Sequence, residues 1–66
     1  MKNTIRVQRA IKNITQAELA ELISVSRQTI NTIESGKYVP STVLALKMAK
    51  VFQVAVEQIF ELEEED

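Results

Sequence analysis

From Thr15 to Gly36 the chain starts a helix twice and stops it twice, which leaves this stretch little freedom in what it can fold into. Thr15-Gln16-Ala17-Glu18 is a capping box, in which the Thr15 hydroxyl accepts from the Glu18 backbone N–H and the Glu18 carboxylate reaches back to the Thr15 N–H. A helix from Gln16 to about Ile23 follows, with Leu19, Ala20, Leu22 and Ile23 available to pack. Ser24-Val25-Ser26 interrupts it. Ser26 is a good N-cap for a next helix, Arg27 to about Ser35, and Gly36 lands where a left-handed terminal residue is wanted.

Two short helices joined by about three residues match helix-turn-helix geometry over residues 16–35. Ala20 faces the join, where a small side chain lets the two axes approach closely. Gly36 and Pro40 are the only glycine and proline, and they bracket a loop with three helical segments before it and two after. The first segment runs from about Thr4 to Lys12, with Val7, Ile11 and Ile14 at helical spacing. The fourth starts after a Ser41 cap and ends near Phe52. It is apolar on too many sides for a surface helix and reads as central. The fifth spans about Val56–Phe60. No strand is convincing, although Val54 and Leu62 are the residues best suited to short extended pieces. The expected class is all-α with five helices.

A chain of 66 residues makes one domain, set here at 1–62, and a domain that small buries a modest core. It has no cysteine and no histidine, which removes disulfides, thiolate metal sites and the commonest acid–base side chain. With no glycine-rich phosphate loop either, catalysis, a metal, a cofactor and a small-molecule ligand are all unexpected. No apolar run approaches the ~18 residues of a membrane span, and the N-terminus lacks the apolar core of a signal peptide. A cytoplasmic location and no membrane partner are expected. The overall net charge of −1 conceals two halves: eight cations against four acids give residues 1–60 a net charge of +4, and the last six residues carry −5.

On a helical wheel Ile30 and Ile33 lie together, on the side of the third helix that faces the core. Arg27, Gln28, Asn31, Thr32 and Ser35 lie opposite, and none is acidic although the chain is rich in acids. Arg pairs with two acceptors on guanine, and Gln or Asn with adenine, so this is an inventory for reading base edges of double-stranded DNA. Gln16 stands at the start of the second helix, where free N–H groups and the helix dipole favour an anion. Gln16, Ser35, Lys37 and Tyr38 are placed as phosphate contacts, which fix register without reading sequence.

Gln16-Ala17-Glu18-Leu19-Ala20, Val25-Ser26-Arg27-Gln28-Thr29-Ile30 and Ile33-Glu34-Ser35-Gly36-Lys37 together resemble the lambda-repressor-like transcriptional regulators of the Cro and xenobiotic-response-element type. Pro40-Ser41, Leu44-Ala45-Leu46-Lys47-Met48-Ala49 and Ile59-Phe60 extend the resemblance over nearly the whole chain. It implies a five-helix fold with Ser26, Arg27, Gln28, Asn31 and Thr32 in or beside the major groove, and an Arg9–Glu34 ion pair tying the first helix to the third. The chain departs from the family pattern at four places. Ser24 stands where a left-handed Gly is usual, at a cost to Ser of roughly 1 kcal/mol, so either the helices join less tightly or the turn takes another shape. Gln8 replaces an apolar residue and Ile11 a charged one, so the first helix is either rotated or presents Ile11 to a partner. Ala55 lacks the usual polar cap, which frays the fifth helix.

The apolar residues after Phe52 exceed what a small core absorbs. A two-fold homodimer built on residues 54–62 is therefore expected, with Val54, Val56, Ile59, Phe60 and Leu62 at the interface. Such a dimer sets two reading helices about one DNA turn apart on a palindromic operator. Residues 63–66 read as a solvated, partly disordered acidic tail that either solubilises the chain or repels DNA from the wrong face. The function expected is a homodimeric transcriptional repressor. The competing reading is an antitoxin-type protein that binds a toxin partner as well as DNA.

Overall fold

Most of the helices begin and end at a signal traceable to one or two residues. A computed structural model describes residues 1–66 and contains five helices and two short strands: β1 Lys2–Asn3, α1 Ile5–Lys12, α2 Gln16–Leu22, α3 Arg27–Glu34, α4 Thr42–Phe52, α5 Val56–Ile59 and β2 Phe60–Glu61. The Thr15 capping box is closed in both directions, at 3.0 Å to the Glu18 N–H and 2.9 Å back from the Thr15 N–H. Ser26 accepts from the Thr29 N–H at 3.1 Å and Ser41 from the Leu44 N–H at 3.2 Å, starting α3 and α4. At α5 Ala55 offers no side-chain cap, but the Gln58 side chain accepts from the Ala55 N–H at 2.8 Å, the return half of a capping box.

Four helices stop in the same way, with one residue in the left-handed region: Asn13 (φ 57°), Ser24 (φ 59°), Gly36 (φ 81°) and Gln53 (φ 57°). In each case the following N–H reaches back to the last turn, from Ile14 to Arg9 at 3.0 Å, Val25 to Ala20 at 3.0 Å, Lys37 to Thr32 at 3.1 Å and Val54 to Ala49 at 3.2 Å. These are Schellman closures, which satisfy carbonyls a helix end leaves orphaned. Ser24 thus keeps the left-handed turn and bears its strain, and the turn does not change shape.

The core is ten apolar residues: Ile5, Leu19, Ala20, Ile23, Ile30, Ile33, Met48, Phe52, Ile59 and Phe60. Every helix contributes. α1 buries only Ile5, while Val7 and Ile11 are exposed and Gln8 is half-buried, so the outward side of α1 carries the apolar pair. α4 is packed along one broad side by Met48, Phe52, Leu44, Ala45, Ala49 and Val51; it is not surrounded, and Val43 and Leu46 stay exposed.

Three further features differ from the expectations set by sequence. The chain ends pair as a short antiparallel bridge, Lys2 opposite Glu61 and Asn3 opposite Phe60. Two-residue strands from opposite ends of a chain have no internal periodicity to reveal them. Residues 63–66 are a closed turn, not a loose run: the Glu63 N–H donates to Asp66 Oδ2 at 2.8 Å and the Asp66 N–H to the Glu63 carbonyl at 3.1 Å. The Met1 ammonium holds this turn through Glu63 at 3.0 Å and Asp66 at 3.2 Å. Ile59 and Phe60, expected at a dimer interface, are 1% and 9% exposed within the chain's own core, so their apolar surface is already spent.

Two ties aim α3. Arg9 grips Glu34 in a fork, Nε to Oε2 at 2.7 Å and Nη2 to Oε1 at 3.1 Å, while its Nη1 donates to the Ile14 carbonyl at 3.2 Å. Hydrogen bonding to Glu34, more than its Coulomb attraction, raises the Arg9 pKa above its ordinary value. Asn3 supplies the second tie. Its Nδ2 donates to the Ile33 and Glu34 carbonyls at 3.0 and 3.4 Å, and its Oδ1 accepts from the Ile5 N–H at 3.2 Å. One side chain therefore serves the end of α3 and the start of α1.

Arg9→Ala leaves the Glu34 carboxylate, 7% exposed, without its partner. The expected loss is about 3 kcal/mol, the low end for breaking a buried pair. Urea titration measures it, and a variant as stable as the parent would show the pair to be dispensable. Ser24→Gly relieves the left-handed strain and is expected to gain about 0.5–1 kcal/mol after glycine's greater chain entropy is subtracted. That corresponds to a Tm higher by roughly 2–8 °C; a lower Tm would assign the Ser24 hydroxyl a structural role.

Candidate nucleic-acid interface

The outward side of α3 exists because the inward side is filled. Ile30 and Ile33 are fully buried, which turns Arg27, Gln28 and Asn31 to solvent and leaves Thr32 half-buried at the edge. Ser26 lies one residue before the helix, exposed, with its hydroxyl 2.9 Å from that of Thr29. Thr32 and Ser35 turn their hydroxyls back onto their own helix, donating to the Gln28 carbonyl at 2.8 Å and the Thr32 carbonyl at 2.9 Å. Their oxygens retain lone pairs that accept from an incoming donor.

Gln16 is where α2 meets this surface. Its Nε2 donates to Asn31 Oδ1 at 3.4 Å and its Oε1 accepts from Arg27 Nε at 3.5 Å. These are long, weak contacts between exposed groups, so they align three side chains without consuming them. Gln28 joins the same depression, its Nε2 3.3 Å from Thr32 Oγ1. Of the nine DNA-contact residues expected from sequence, the structure gathers Gln16, Arg27, Gln28 and Asn31 around one depression. Ser35 shares an adjoining cleft with Gln16 and Asn31, Thr32 adjoins Gln28, and Ser26 sits at the start of α3. Lys37 and Tyr38 are exposed in the loop after α3 and line none of these clefts.

The broadest cleft runs from this depression to α1 and adds Arg6, Arg9, Asn13 and Thr15 to Gln16, Arg27 and Asn31. It contains no carboxylate. Glu34 is the one acid on the neighbouring cleft, and it is occupied by Arg9. Arg6 is the residue that sequence reasoning missed. It is exposed, forms no ion pair, and lines both clefts beside Gln16 and Asn31. Its spacing of three from Arg9 was the available signal, since i and i+3 share a helix side. Asn13 reaches the cleft because it takes the left-handed position that ends α1, which Asn tolerates better than most residues.

The five residues expected at a dimer interface fall into three groups. Ile59 and Phe60 are interior, Val54 and Val56 are half-buried, and Leu62 is 76% exposed. No helix is long and apolar enough to cross a membrane.

The chain is similar to known helix-turn-helix regulators. The family described as Helix-turn-helix matches residues 5–59. An HTH-type transcriptional regulator of Methanocaldococcus jannaschii is 52% identical over 66 residues, with both chains covered completely. The HTH-type transcriptional regulator YgzD of Bacillus subtilis is 47% identical over 66 residues, again with complete coverage of both. A third, from Archaeoglobus fulgidus, is 47% identical over 66 residues that make up 100% of this chain and 93% of the relative. The match spans α1 through α5 and includes the capped α2–turn–α3 unit, and the chain belongs to the lambda-repressor-like helix-turn-helix family.

Proposed function

We propose that this protein is a sequence-specific, double-stranded-DNA-binding transcriptional regulator, a cytoplasmic homodimeric repressor that reads a palindromic operator. One observation carries the reading: the outward side of α3 and the depression beside it present Arg27, Gln28, Asn31 and Gln16 with no free acid among them. A side of a helix that is merely solvated mixes both charges. Ser26, Arg27, Gln28, Asn31 and Thr32 meet base edges in the major groove. Gln16, Ser35, Lys37 and Tyr38 hold phosphates, and Arg6 joins them from α1.

The dimer rests on Val54, Val56 and the exposed Leu62, now without Ile59 and Phe60. A two-fold arrangement sets the two α3 helices ~34 Å apart, one helical turn of DNA. Repression follows from occupancy, since a bound dimer of this size blocks polymerase without a further contact.

Selection of bound sequences from random DNA is expected to return a motif with two-fold symmetry. Against that motif, Arg27→Ala and Gln28→Ala each cost about 1–3 kcal/mol and relax one operator position. Lys37→Ala weakens binding to all sequences alike and lowers the salt slope by about one. Fluorescence anisotropy on operator and scrambled DNA separates the two behaviours. Equal effects of all three substitutions on both DNAs would overturn the assigned roles.

A further inference from the structure

Two surfaces outside the DNA-reading side carry opposite charge, and each has an apolar centre. The outward side of α4 holds Val43 and Leu46, 61% and 57% exposed, with Lys47 and Lys50 beside them. On a helix these four positions fall within one side, and Val43 to Lys50 spans roughly 10 Å along the axis. Neither lysine is in an ion pair, and α4 contains no acid.

The complementary surface is the C-terminal turn. Leu62 is the most exposed large apolar residue of the protein at 76%, and it leads directly into the closed turn 63–66. Glu63 and Asp66 are occupied in closing that turn and binding the Met1 ammonium. Glu64 and Glu65 are left at its tip, exposed and without ion pairs. An apolar side chain beside two free carboxylates thus stands next to a turn closed by its own hydrogen bonds.

We propose that Leu62, Glu64 and Glu65 of one copy dock on Val43, Leu46, Lys47 and Lys50 of a second copy, and that the two-fold relation repeats the contact in the other direction. This rests on the homodimer reading above, keeps Leu62 as its apolar contact, and replaces the half-buried Val54 and Val56 with the exposed Val43 and Leu46 of α4. Leu62 covers the exposed Val43 and Leu46, and the Glu64 and Glu65 carboxylates face the Lys47 and Lys50 ammonium groups. The occupant is a second copy because the segregation of charge within one chain, basic through residue 60 and acidic after it, makes each copy complementary to the next. Charges at the edge of an apolar contact fix its register and exclude wrong pairings.

The experiment uses two full-length variants, Lys47→Glu/Lys50→Glu and Glu64→Lys/Glu65→Lys, in sedimentation equilibrium at low salt. All four positions are exposed, so both variants are expected to keep the parent's circular dichroism melt. Each alone places like charges against one another in both halves of the dimer, and its self-dissociation constant is expected to rise at least about tenfold. Mixed in equal amounts, the two variants oppose unlike charges in both halves, and a heterodimer of parental affinity is expected. The proposal is overturned if either variant alone dimerises like the parent, if the parent is monomeric, or if the mixture stays monomeric. Operator anisotropy keeps the DNA reading separate. If only the docking is wrong, both variants still distinguish operator from scrambled DNA; if the reading side is wrong, neither variant nor the parent does.

Discussion

The burial of Ile30 and Ile33 is the interaction on which the rest depends. α3 is short, and an eight-residue helix has little stability of its own in water. It persists because one side is sealed among Leu19, Ala20, Ile23 and the other core residues, each buried residue of this type contributing roughly 1.5–3 kcal/mol relative to exposure. That sealing turns Arg27, Gln28 and Asn31 outward. A polar substitution at Ile30 or Ile33 would therefore disturb the outward side of α3 without touching any residue on it.

Burial sets which side of α3 faces out, but not the direction of its axis. Direction comes from polar ties at the helix ends. Ser26 begins α3, the Schellman closure at Ser24 fixes its angle to α2, and Arg9 and Asn3 hold its far end from α1 and the chain before it. Four of the five helices end in a strained or glycine residue of the same left-handed kind, three of them without glycine. Local strain of ~1 kcal/mol per site is tolerated there because each closure satisfies backbone carbonyls that burial would otherwise leave unpaired. A chain with only ten buried residues gains a defined shape this way, from exact chain reversals as much as from its core.

The economy extends to charge. Arg9 and Glu34 neutralise each other inside the fold, which removes the one acid that would have faced the cleft. Five of the other eight acids lie in the last six residues, where Glu63 and Asp66 lock a turn to the Met1 ammonium. The cleft between α1 and α3 is left with arginine, asparagine, glutamine and threonine side chains beside Ala10, Ile14 and Ala17, and free of carboxylates.

Much of this was legible in the residues alone. The Thr15 capping box, the Ser26 and Ser41 caps, and the opposition of Ile30 and Ile33 to Arg27, Gln28 and Asn31 are local patterns, complete within one or two helical turns, so sequence determined α2, α3, α4 and the outward side of α3. The terms it left open are the ones that join residues far apart in the chain. Only the folded structure pairs Lys2–Asn3 with Phe60–Glu61, brings Asn3 onto the end of α3, carries Arg6 beside Gln16 and Asn31, and assigns Ile59 and Phe60 to the core while leaving Leu62 outside. Periodicity tells which residues share a side of a helix. Which of those sides is covered depends on where the other helices lie, and that is decided by packing across the whole chain.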